Sequence, residues 1–247
     1  MSRLTGKTAF VTGANRGIGA AYVEALIEAG VSKVYAGARD LTSLDDLKSK
    51  FGERLVPVEL DVTESDQVQA ATGLADDVSV LVNNAGIAAF EGFITPKSAA
   101  AARSEMETNY FGVINMVQAF APILKKNGGG TIINMSSIAA YVSFPVLGSY
   151  SASKAAVHSL TQGIRAELAA AGTFVAGVYP GPVETDMAKN VPMDKAAPLD
   201  VARAVLKAVE AGGEDIYPDP TSEGMYSAFR NDPKAVERQA GEMLPEA

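Results

Sequence analysis

Short apolar runs alternate with amphipathic stretches along most of the chain. The first run, Lys7–Val11, leads through a glycine-containing turn into a stretch with a helical apolar stripe, Gly17–Ala29. A second run, Val31–Gly37, completes a strand, helix, strand unit of the kind that joins parallel strands. Later runs predict further strands at Leu55–Leu60, Val78–Val82, Thr131–Met135 and Thr173–Tyr179.

The stretches between these runs have helical periodicity. Sustained alternation of strands and helices is typical of a doubly wound parallel sheet. We therefore predict one α/β domain over residues 1–247, a Rossmann-type sheet of about seven strands with helices on both faces. Within it, we expect residues 221–247 to form an amphipathic tail that folds over the substrate site or across a partner subunit. Helices are predicted at Thr63–Gly73 with Thr63 as the cap, at Ser98–Lys126, from Tyr150 toward Ala171, and at Leu199–Val209.

Composition narrows the class of protein. Of the 247 residues, 47% are hydrophobic and 20% are charged, which is typical of a soluble globular chain. The formal net charge of -8 argues against a nucleic-acid binder, which normally has a basic face. The apolar runs fall short of the roughly 18 residues of a membrane span, and the start of the chain lacks the features of a signal peptide. We expect a cytoplasmic protein that binds neither nucleic acid nor membrane.

The chain contains no cysteine and one histidine, His158. Thiolate chemistry and disulfides are therefore excluded, and a histidine-based metal site or a Ser-His-Asp triad would have to rest on that one residue. His158 shares a helical row with Tyr150 and Lys154, and we predict a packing or interface role for it. We expect no bound metal, so any redox chemistry must use an organic cofactor.

The turn after the first strand has the glycines that a dinucleotide site needs. Gly13, Gly17 and Gly19 allow a tight turn, a close approach of the backbone to a pyrophosphate, and close packing of helix on strand. The free N–H groups at the helix N-terminus would then face the phosphates. A purely structural glycine turn is the alternative, but the strand, turn, helix, strand context favours a dinucleotide site.

The residues after the second strand bear on the choice of cofactor. An enzyme that prefers NAD would have Asp or Glu there to bind the ribose 2′-hydroxyl, whereas this chain has Ala38 followed by Arg39. Arg39 and Arg16 offer guanidinium groups for a 2′-phosphate. Asp40 favours NAD if it reaches the ribose, although it also suits the N-terminus of the next helix. We predict NADP in preference to NAD.

Further polar residues follow strands or lie on helices that face the strand ends, which form the ligand-binding edge of such a sheet. Asn83 and Asn84 end one strand, and we predict a structural role for at least one of them. Asn109 lies among apolar neighbours, either as a satisfied helix-bend residue or as part of a polar relay. Tyr150 and Lys154 lie one helical turn apart, where the cation would lower the pKa of the phenol. Considered alone, such a pair is most often an ordinary solvated face.

Seven motifs in order are more specific than any one of them. They are TGANRGIG (Thr12–Gly19), Asp61, NNAG (Asn83–Gly86), Asn109, Ser137, YSASK (Tyr150–Lys154) and PGPVET (Pro180–Thr185). In order and spacing, over residues 5–190, the chain resembles the short-chain dehydrogenase/reductase family. The resemblance agrees with the fold and the cofactor class predicted from the residues.

The resemblance implies a role for each matched residue. Tyr150 would exchange a proton with the substrate oxygen, and Lys154 would lower the pKa of Tyr150 and hold the nicotinamide ribose. Ser137 would hydrogen-bond the substrate oxygen, and Asn109 would hold a water that links Lys154 to solvent. Asp61 would contact the adenine. The expected cofactor contacts are Gly13, Asn15, Arg16, Gly17, Ile18, Gly19, Ala38, Arg39, Asp61, Val62, Asn83, Ala85, Gly86, Tyr150, Lys154, Pro180, Gly181, Val183 and Thr185.

These observations predict an NADP(H)-dependent oxidoreductase that interconverts a ketone or aldehyde and an alcohol. The alternative is a catalytically silent NADP-binding sensor or scaffold of the same fold. We expect a homodimer or homotetramer, although Glu214–Pro220 replaces the glycine-rich final strand that many family members use in tetramer packing. The expected substrate is uncharged and bulky because the residues predicted around it are mostly apolar. They are Ile138, Tyr141, Val142, Phe144, Val146, Met187 and Met193.

Overall fold

Seven parallel strands form one sheet in the computed structural model, which describes residues 2–245. The strands are β1 Thr8–Thr12, β2 Lys33–Ala38, β3 Leu55–Glu59, β4 Val80–Asn83, β5 Gly130–Met135, β6 Thr173–Val178 and β7 Asp215–Ile216. Their order is β3-β2-β1-β4-β5-β6-β7, so the chain builds the sheet outward in both directions from the pair β1 and β4. Every pairing between neighbours is parallel. The predicted doubly wound sheet is confirmed.

Helices cover both faces of this sheet. They are α1 Gly17–Glu28, α2 Asp45–Phe51, α3 Ser65–Leu74, α4 Ala100–Met106, α5 Gly112–Lys126, α6 Gly148–Ala169, α7 Pro198–Glu210, α8 Pro220–Asn231 and α9 Pro233–Ala240. Alternate residues of β4 enter opposite cores, because successive side chains of a strand point to opposite faces. Val80 and Val82 pack in the core that contains α1 and α7, and Leu81 packs in the core with α3, α5 and α6. Among residues 2–245, no helix combines the length and apolar character needed to cross a bilayer.

The C-terminal tail folds back on the chain near the site. Val236 and Ala240 of α9 pack in a third apolar cluster against Val142 and Phe144, which belong to the segment after β5. The partly buried ring of Tyr150 belongs to the same cluster. We call α8 and α9, residues 220–240, the cover. The tail predicted from its amphipathic pattern therefore lies against its own protomer's segment beside Tyr150.

The helix predicted over Ser98–Lys126 is not continuous. It begins at Ala100 and contains a π-helical segment, Glu107–Phe111, between α4 and α5. A π-helical turn adds one residue to the helix and is frequent at functional sites. The buried side chain of Asn109 lies in this segment. Helical periodicity does not reveal such an insertion, because the apolar stripe continues on both sides of it.

Two other local predictions are corrected by the structure. Thr63 does not cap α3, which begins at Ser65 with Glu64 at its N-cap position. Thr63 instead donates its backbone N–H and its hydroxyl to Asp61 Oδ1, at 3.0 and 2.7 Å. Asp61 thus forms a local turn that competes with an earlier helix start. The segment Glu214–Pro220 still contains a short strand, β7, which pairs with β6.

Candidate active site

The glycine turn between β1 and α1 has the geometry of an anion-binding loop. Gly13 and Gly17 have positive φ values of 61° and 53°, a backbone conformation that favours glycine. A Cβ on Gly19 would lie 2.0 Å from the carbonyl oxygen of Gly13, so only glycine fits there. The N-terminus of α1 has no side-chain cap and no acidic residue in its first turn. Its N–H groups and dipole therefore suit a pyrophosphate.

Hydrogen bonds from Asn84, which follows β4, connect this turn to the neighbouring strand. Its Nδ2 donates to the carbonyl oxygens of Thr12 and Gly13, at 3.0 and 3.2 Å. The hydroxyl of Thr12 accepts the backbone N–H groups of Asn84 and Ala85, both at 3.0 Å. A Cβ on Gly13 would lie 3.0 Å from Ala85 Cα, so the two segments approach closely. The prediction that one of the two asparagines is structural is confirmed for Asn84.

Asn83 has a different environment from Asn84. Its side chain is buried and donates to Asn134 Oδ1 at 2.9 Å. Asn134 in turn donates to the hydroxyl of Thr161 on α6 at 3.0 Å. Among the described residues, Asn83 Oδ1 has no hydrogen-bond partner. The side chain of this predicted cofactor contact thus lies between the sheet and α6.

The end of β2 presents one basic side chain to solvent. Ala38 is buried at the end of the strand, and Arg39 after it is exposed. Asp40 Oδ1 accepts the backbone N–H and the hydroxyl of Thr42, at 2.9 and 2.8 Å, and so caps the short helical turn Leu41–Leu44. Of the two roles that the sequence left open for Asp40, the capping role is the one observed.

Arg16 is the other candidate for a contact with a 2′-phosphate. Arg16 of the glycine turn approaches Asp186, which follows β6, with 3.3 Å between Nη1 and Oδ2. Both side chains are more than two-thirds exposed, at 71% and 77%. Such an exposed ion pair contributes little stability, so the guanidinium of Arg16 can exchange partners at little cost.

Tyr150 and Lys154 lie on the first turns of α6, and the ammonium of Lys154 is 5.6 Å from the centre of the Tyr150 ring. Lys154 is buried, and its Nζ donates to the carbonyl oxygen of Met135 at 2.9 Å. Burial lowers the pKa of Lys154 to about 8. Burial raises the pKa of Tyr150 to about 12, while a hydrogen bond with Ser137 lowers it and the charge of Glu105 raises it. Burial therefore has the largest effect on the pKa of Tyr150, and the expectation that Lys154 lowers this pKa stays a prediction.

Ser137 follows β5 and lies beside Tyr150. Its side chain caps the helical turn Ile138–Ala140 by accepting the N–H of Ala139 at 3.2 Å. Its hydroxyl donates to the carbonyl oxygen of Pro180 at 3.4 Å, a long contact, and the same hydroxyl lowers the pKa of Tyr150.

Asn109 connects three segments around Lys154. Its Nδ2 donates to the carbonyl oxygen of Ile87 and to the hydroxyl of Ser153, both at 2.9 Å, and its Oδ1 accepts the N–H of Ile87 at 2.8 Å. A Cβ on Gly86 would lie 3.2 Å from Asn109 Oδ1 and 3.5 Å from Lys154 Nζ. These contacts satisfy the buried amide at the π-helical segment, which corresponds to the helix-bend role.

The segment Pro180–Thr185 lies against the glycine turn. A Cβ on Gly17 would lie 3.0 Å from Thr185 Cγ2, and Val183 forms an isolated bridge with Ala196. The N–H of Gly181 donates to Asp219 Oδ2 at 2.9 Å. The glycine turn therefore forms one cleft together with Ala85, after β4, and Thr185, after β6. Beside it, Asp61 and Val62 follow β3, while Ile18 packs against the core below α1.

Two buried carboxylates near the site were not singled out by the sequence. Asp219 caps α8 and holds Gly181, and its signal was the helix start of Asp219, Pro220 and Ser222. Glu105 of α4 is 1% exposed and accepts hydrogen bonds from Ala89 and Ser149. Nothing in its local sequence distinguishes it from a surface glutamate.

His158 belongs to an aromatic cluster behind the site. Its Nδ1 lies 2.6 Å from the hydroxyl of Tyr179, and its ring packs on Tyr141. The hydroxyl of Tyr141 in turn lies 2.8 Å from that of Tyr217. The predicted packing role of His158 is confirmed. Among residues 2–245, no three His, Cys, Asp or Glu side chains are grouped so that they could hold a metal ion.

Comparisons with known proteins agree with this geometry. The family model described as short chain dehydrogenase matches residues 7–196. An uncharacterized oxidoreductase from Staphylococcus saprophyticus is 32% identical over 221 residues, which cover 85% of this chain and 94% of the relative.

Two solved structures extend the comparison to the cofactor. A short chain dehydrogenase from Burkholderia cenocepacia in complex with NADP is 43% identical, with a TM-score of 0.91, over 99% of this chain and 100% of that one. A short chain dehydrogenase/reductase from Burkholderia phymatum in complex with NAD is 28% identical, with a TM-score of 0.84, over 100% of both chains. The chain belongs to the short-chain dehydrogenase family and is an oxidoreductase with the nicotinamide-binding fold of that family.

Proposed function

We propose that the protein is an NADP(H)-dependent alcohol dehydrogenase or carbonyl reductase in which Tyr150 is the general acid and base. The observation that supports this most is the convergence of Ser137, Tyr150 and Lys154 at the carboxyl edge of the sheet, beside a glycine turn that fits a pyrophosphate. Three groups that a proton transfer needs thus lie next to the cleft for a dinucleotide.

Each of the three residues has a separate task. Ser137 and Tyr150 donate hydrogen bonds to the substrate oxygen and stabilise the negative charge that develops there. Tyr150 gives its proton to that oxygen in reduction and removes the proton in oxidation. Lys154, fixed by the carbonyl of Met135, holds the nicotinamide ribose. The bound nicotinamide supplies or accepts the hydride and, when oxidised, adds a positive charge that favours the phenolate.

The surroundings of Tyr150 support an uncharged, apolar substrate. Tyr150 belongs to the apolar cluster formed by the segment after β5 and the cover. A charged substrate would lose its hydration there without gaining a counter-charge. A bulky ketone or its alcohol would instead bury apolar surface against these side chains. The neighbours in this cluster are Val142, Phe144, Val146, Leu147, Met225 and Phe229.

A preference for NADP over NAD has separate support. The carboxylate of Asp40 is occupied in its cap, so it does not compete for a ribose 2′-hydroxyl in this conformation. Arg39 is exposed at the end of β2, where it can pair with a 2′-phosphate. The relative in complex with NADP is also the more similar of the two cofactor-bound structures, at 43% against 28% identity.

The same proposal includes the assembly and the place of action. We infer one domain that associates as a homodimer or homotetramer in the cytoplasm. The small residues Ala152, Ala155 and Ala156 keep one side of α6 shallow, which suits a second helix packed against it. Sedimentation of the purified protein tests the assembly, and a monomer at micromolar concentration would contradict it.

Substitution of Tyr150 by Phe tests the proposed function. A panel of ketones and alcohols, followed by NADPH absorbance, should show turnover in the wild type, with NADPH preferred to NADH. In Tyr150→Phe we expect kcat/KM to fall by about 10²–10⁴-fold, the usual share of general acid–base catalysis, while the Kd for NADPH stays the same. Tyr35→Phe is the control, because Tyr35 bonds Asp77 away from the cleft. NADPH binding without turnover in the wild type would instead favour the silent sensor or scaffold.

A further inference from the structure

Glu105 is a buried carboxylate with an unusual position. It lies on α4, two residues before the π-helical segment begins, and is 1% exposed. Its Oε1 accepts the backbone N–H of Ala89 at 2.8 Å, and its Oε2 accepts the hydroxyl of Ser149. A buried charge is costly unless hydrogen bonds compensate it. Both oxygens of Glu105 accept a hydrogen bond, which offsets part of the cost of burying the side chain.

The contacts of Glu105 repeat those of Asn109 one turn away. Asn109 joins Ile87, in the loop after β4, to Ser153 on α6. Glu105 joins the same loop, two residues later, to Ser149 on the same helix. The loop after β4 and the first turns of α6 are therefore connected twice through one helical row.

Tyr150 lies between the two anchored serines, directly after Ser149. The hydroxyl of Ser153 donates to the backbone carbonyl of Tyr150 at 2.7 Å, and Ser149 immediately precedes Tyr150. The backbone of Tyr150 is thus held from both sides by residues that depend on α4 and the π-helical segment. A shift of Glu105 would move the start of α6 and with it the phenol.

Two groups from different elements shift the pKa of Tyr150 in opposite directions. The hydroxyl of Ser137, after β5, lowers it through a hydrogen bond, and the negative charge of Glu105, on α4, raises it. The ammonium of Lys154 lies 5.6 Å from the centre of the ring, one turn along α6. Of these three groups, Glu105 is the negative one.

We propose that Glu105 is a positioning residue for Tyr150, which fixes the start of α6 through Ser149 and adds a negative charge to the surroundings of the phenol. The inference rests on the proposed role of Tyr150 as acid and base. Glu105 does not touch the substrate in this arrangement; it acts through Ser149 and through its field.

Two substitutions separate the effect of the charge of Glu105 from the effect of its side-chain length. Glu105→Gln removes the charge and keeps the length of the side chain, whereas Glu105→Asp keeps the charge and shortens it. In the oxidation of an alcohol, kcat/KM rises with pH as Tyr150 ionises. We expect this rise to move to lower pH in Glu105→Gln, because a neutral side chain no longer disfavours the phenolate. In Glu105→Asp we expect a rise at the wild-type pH with a lower kcat, because the bond to Ser149 is lost.

Glu107→Gln is the matched control, since Glu107 is exposed two residues away and should leave both the pH profile and kcat unchanged. A pH profile of Glu105→Gln that coincides with the wild type would overturn the role of the charge. A wild-type kcat in both Glu105→Asp and Ser149→Ala would overturn the positioning role, and these two variants decide it if Glu105→Gln does not fold. Tyr150→Phe is measured in parallel: if it keeps full activity, the proposed function fails, and any effect of Glu105 must be explained without it.

Discussion

Asn84→Ala tests whether the cleft depends on the bond between β4 and the glycine turn. The substitution removes the donor to two carbonyl oxygens, those of Thr12 and Gly13. Thr12 is 1% exposed, so its carbonyl loses the amide donor of Asn84 without gaining access to water. An unsatisfied buried group costs about 1–3 kcal/mol, and we expect the free energy of unfolding to fall by about 2 kcal/mol. For a chain of this size that corresponds to a drop of about 4–8 °C in Tm.

The same change should weaken cofactor binding. Without the amide, Gly13 and Ala85 are no longer held at their close approach, so the turn must be ordered again when NADPH binds. A loss of about 1 kcal/mol in binding free energy raises Kd about five-fold. The chain has no tryptophan, so NADPH fluorescence can be titrated without energy transfer from that residue.

Asn127→Ala is the matched control. The amide of Asn127 also donates to two carbonyl oxygens, those of Asp76 and Val78, at 3.0 and 2.9 Å. These groups lie at the opposite edge of the sheet, before β4, and Asn127 is exposed. Its loss should lower Tm by less and leave the Kd for NADPH unchanged. If both variants lose stability and neither changes Kd, Asn84 is a structural cross-link with no influence on the cleft.

Three further predictions follow from single residues. Arg39→Ala should lower kcat/KM with NADPH by about 10- to 100-fold, the effect of one charge-assisted hydrogen bond, and leave kcat/KM with NADH unchanged. An equal loss with both cofactors would show that Arg39 does not select between them. Gly19→Ala should abolish folding or NADPH binding. Gly163 lies in open space on α6, so Gly163→Ala should raise the free energy of unfolding by about 0.5–1 kcal/mol in thermal melts. A stable Gly19→Ala variant that binds NADPH would contradict the close packing of Gly19 on Gly13. Burial lowers the pKa of His158 below that of the unfolded chain, about 6.5, so the folded state binds fewer protons and stability should fall as the pH drops below that value. In denaturant melts at about pH 7 and about pH 5.5, the free energy of unfolding should fall less in His158→Gln than in the wild type. An equal fall in both proteins would refute this.

The parts of the fold that could be predicted well from the sequence are determined by local requirements of the backbone and of burial. The apolar runs became strands because a parallel strand buried on both faces must be apolar along its length. Gly13, Gly17 and Gly19 were recognisable because each is required by its own backbone angle or by a contact within the turn. The boundaries of β1, β2, β5 and β6 accordingly differ from the predicted ones by only one or two residues.

The parts that the sequence missed depend on contacts between distant segments. Asn83 and Asn84 are identical neighbours, and only the fold decides which one holds Thr12 and which one faces Asn134. Glu105 stands among residues typical of a surface helix, and its burial follows from the packing of α4 on α6. The effect of burial on the pKa of Tyr150 could not be foreseen, because spacing shows a nearby cation but does not show how far the phenol is desolvated.

The position of the cover, α8 and α9, affects how this protein can evolve. The family model ends at residue 196, and α8 and α9 lie beyond it, yet they share an apolar cluster with Tyr150. The glycine turn and the part of this cluster that belongs to the cover are thus encoded in different stretches of the chain. Exchange of α8 and α9 between relatives would change the apolar surroundings of Tyr150 and leave the glycine turn as it is.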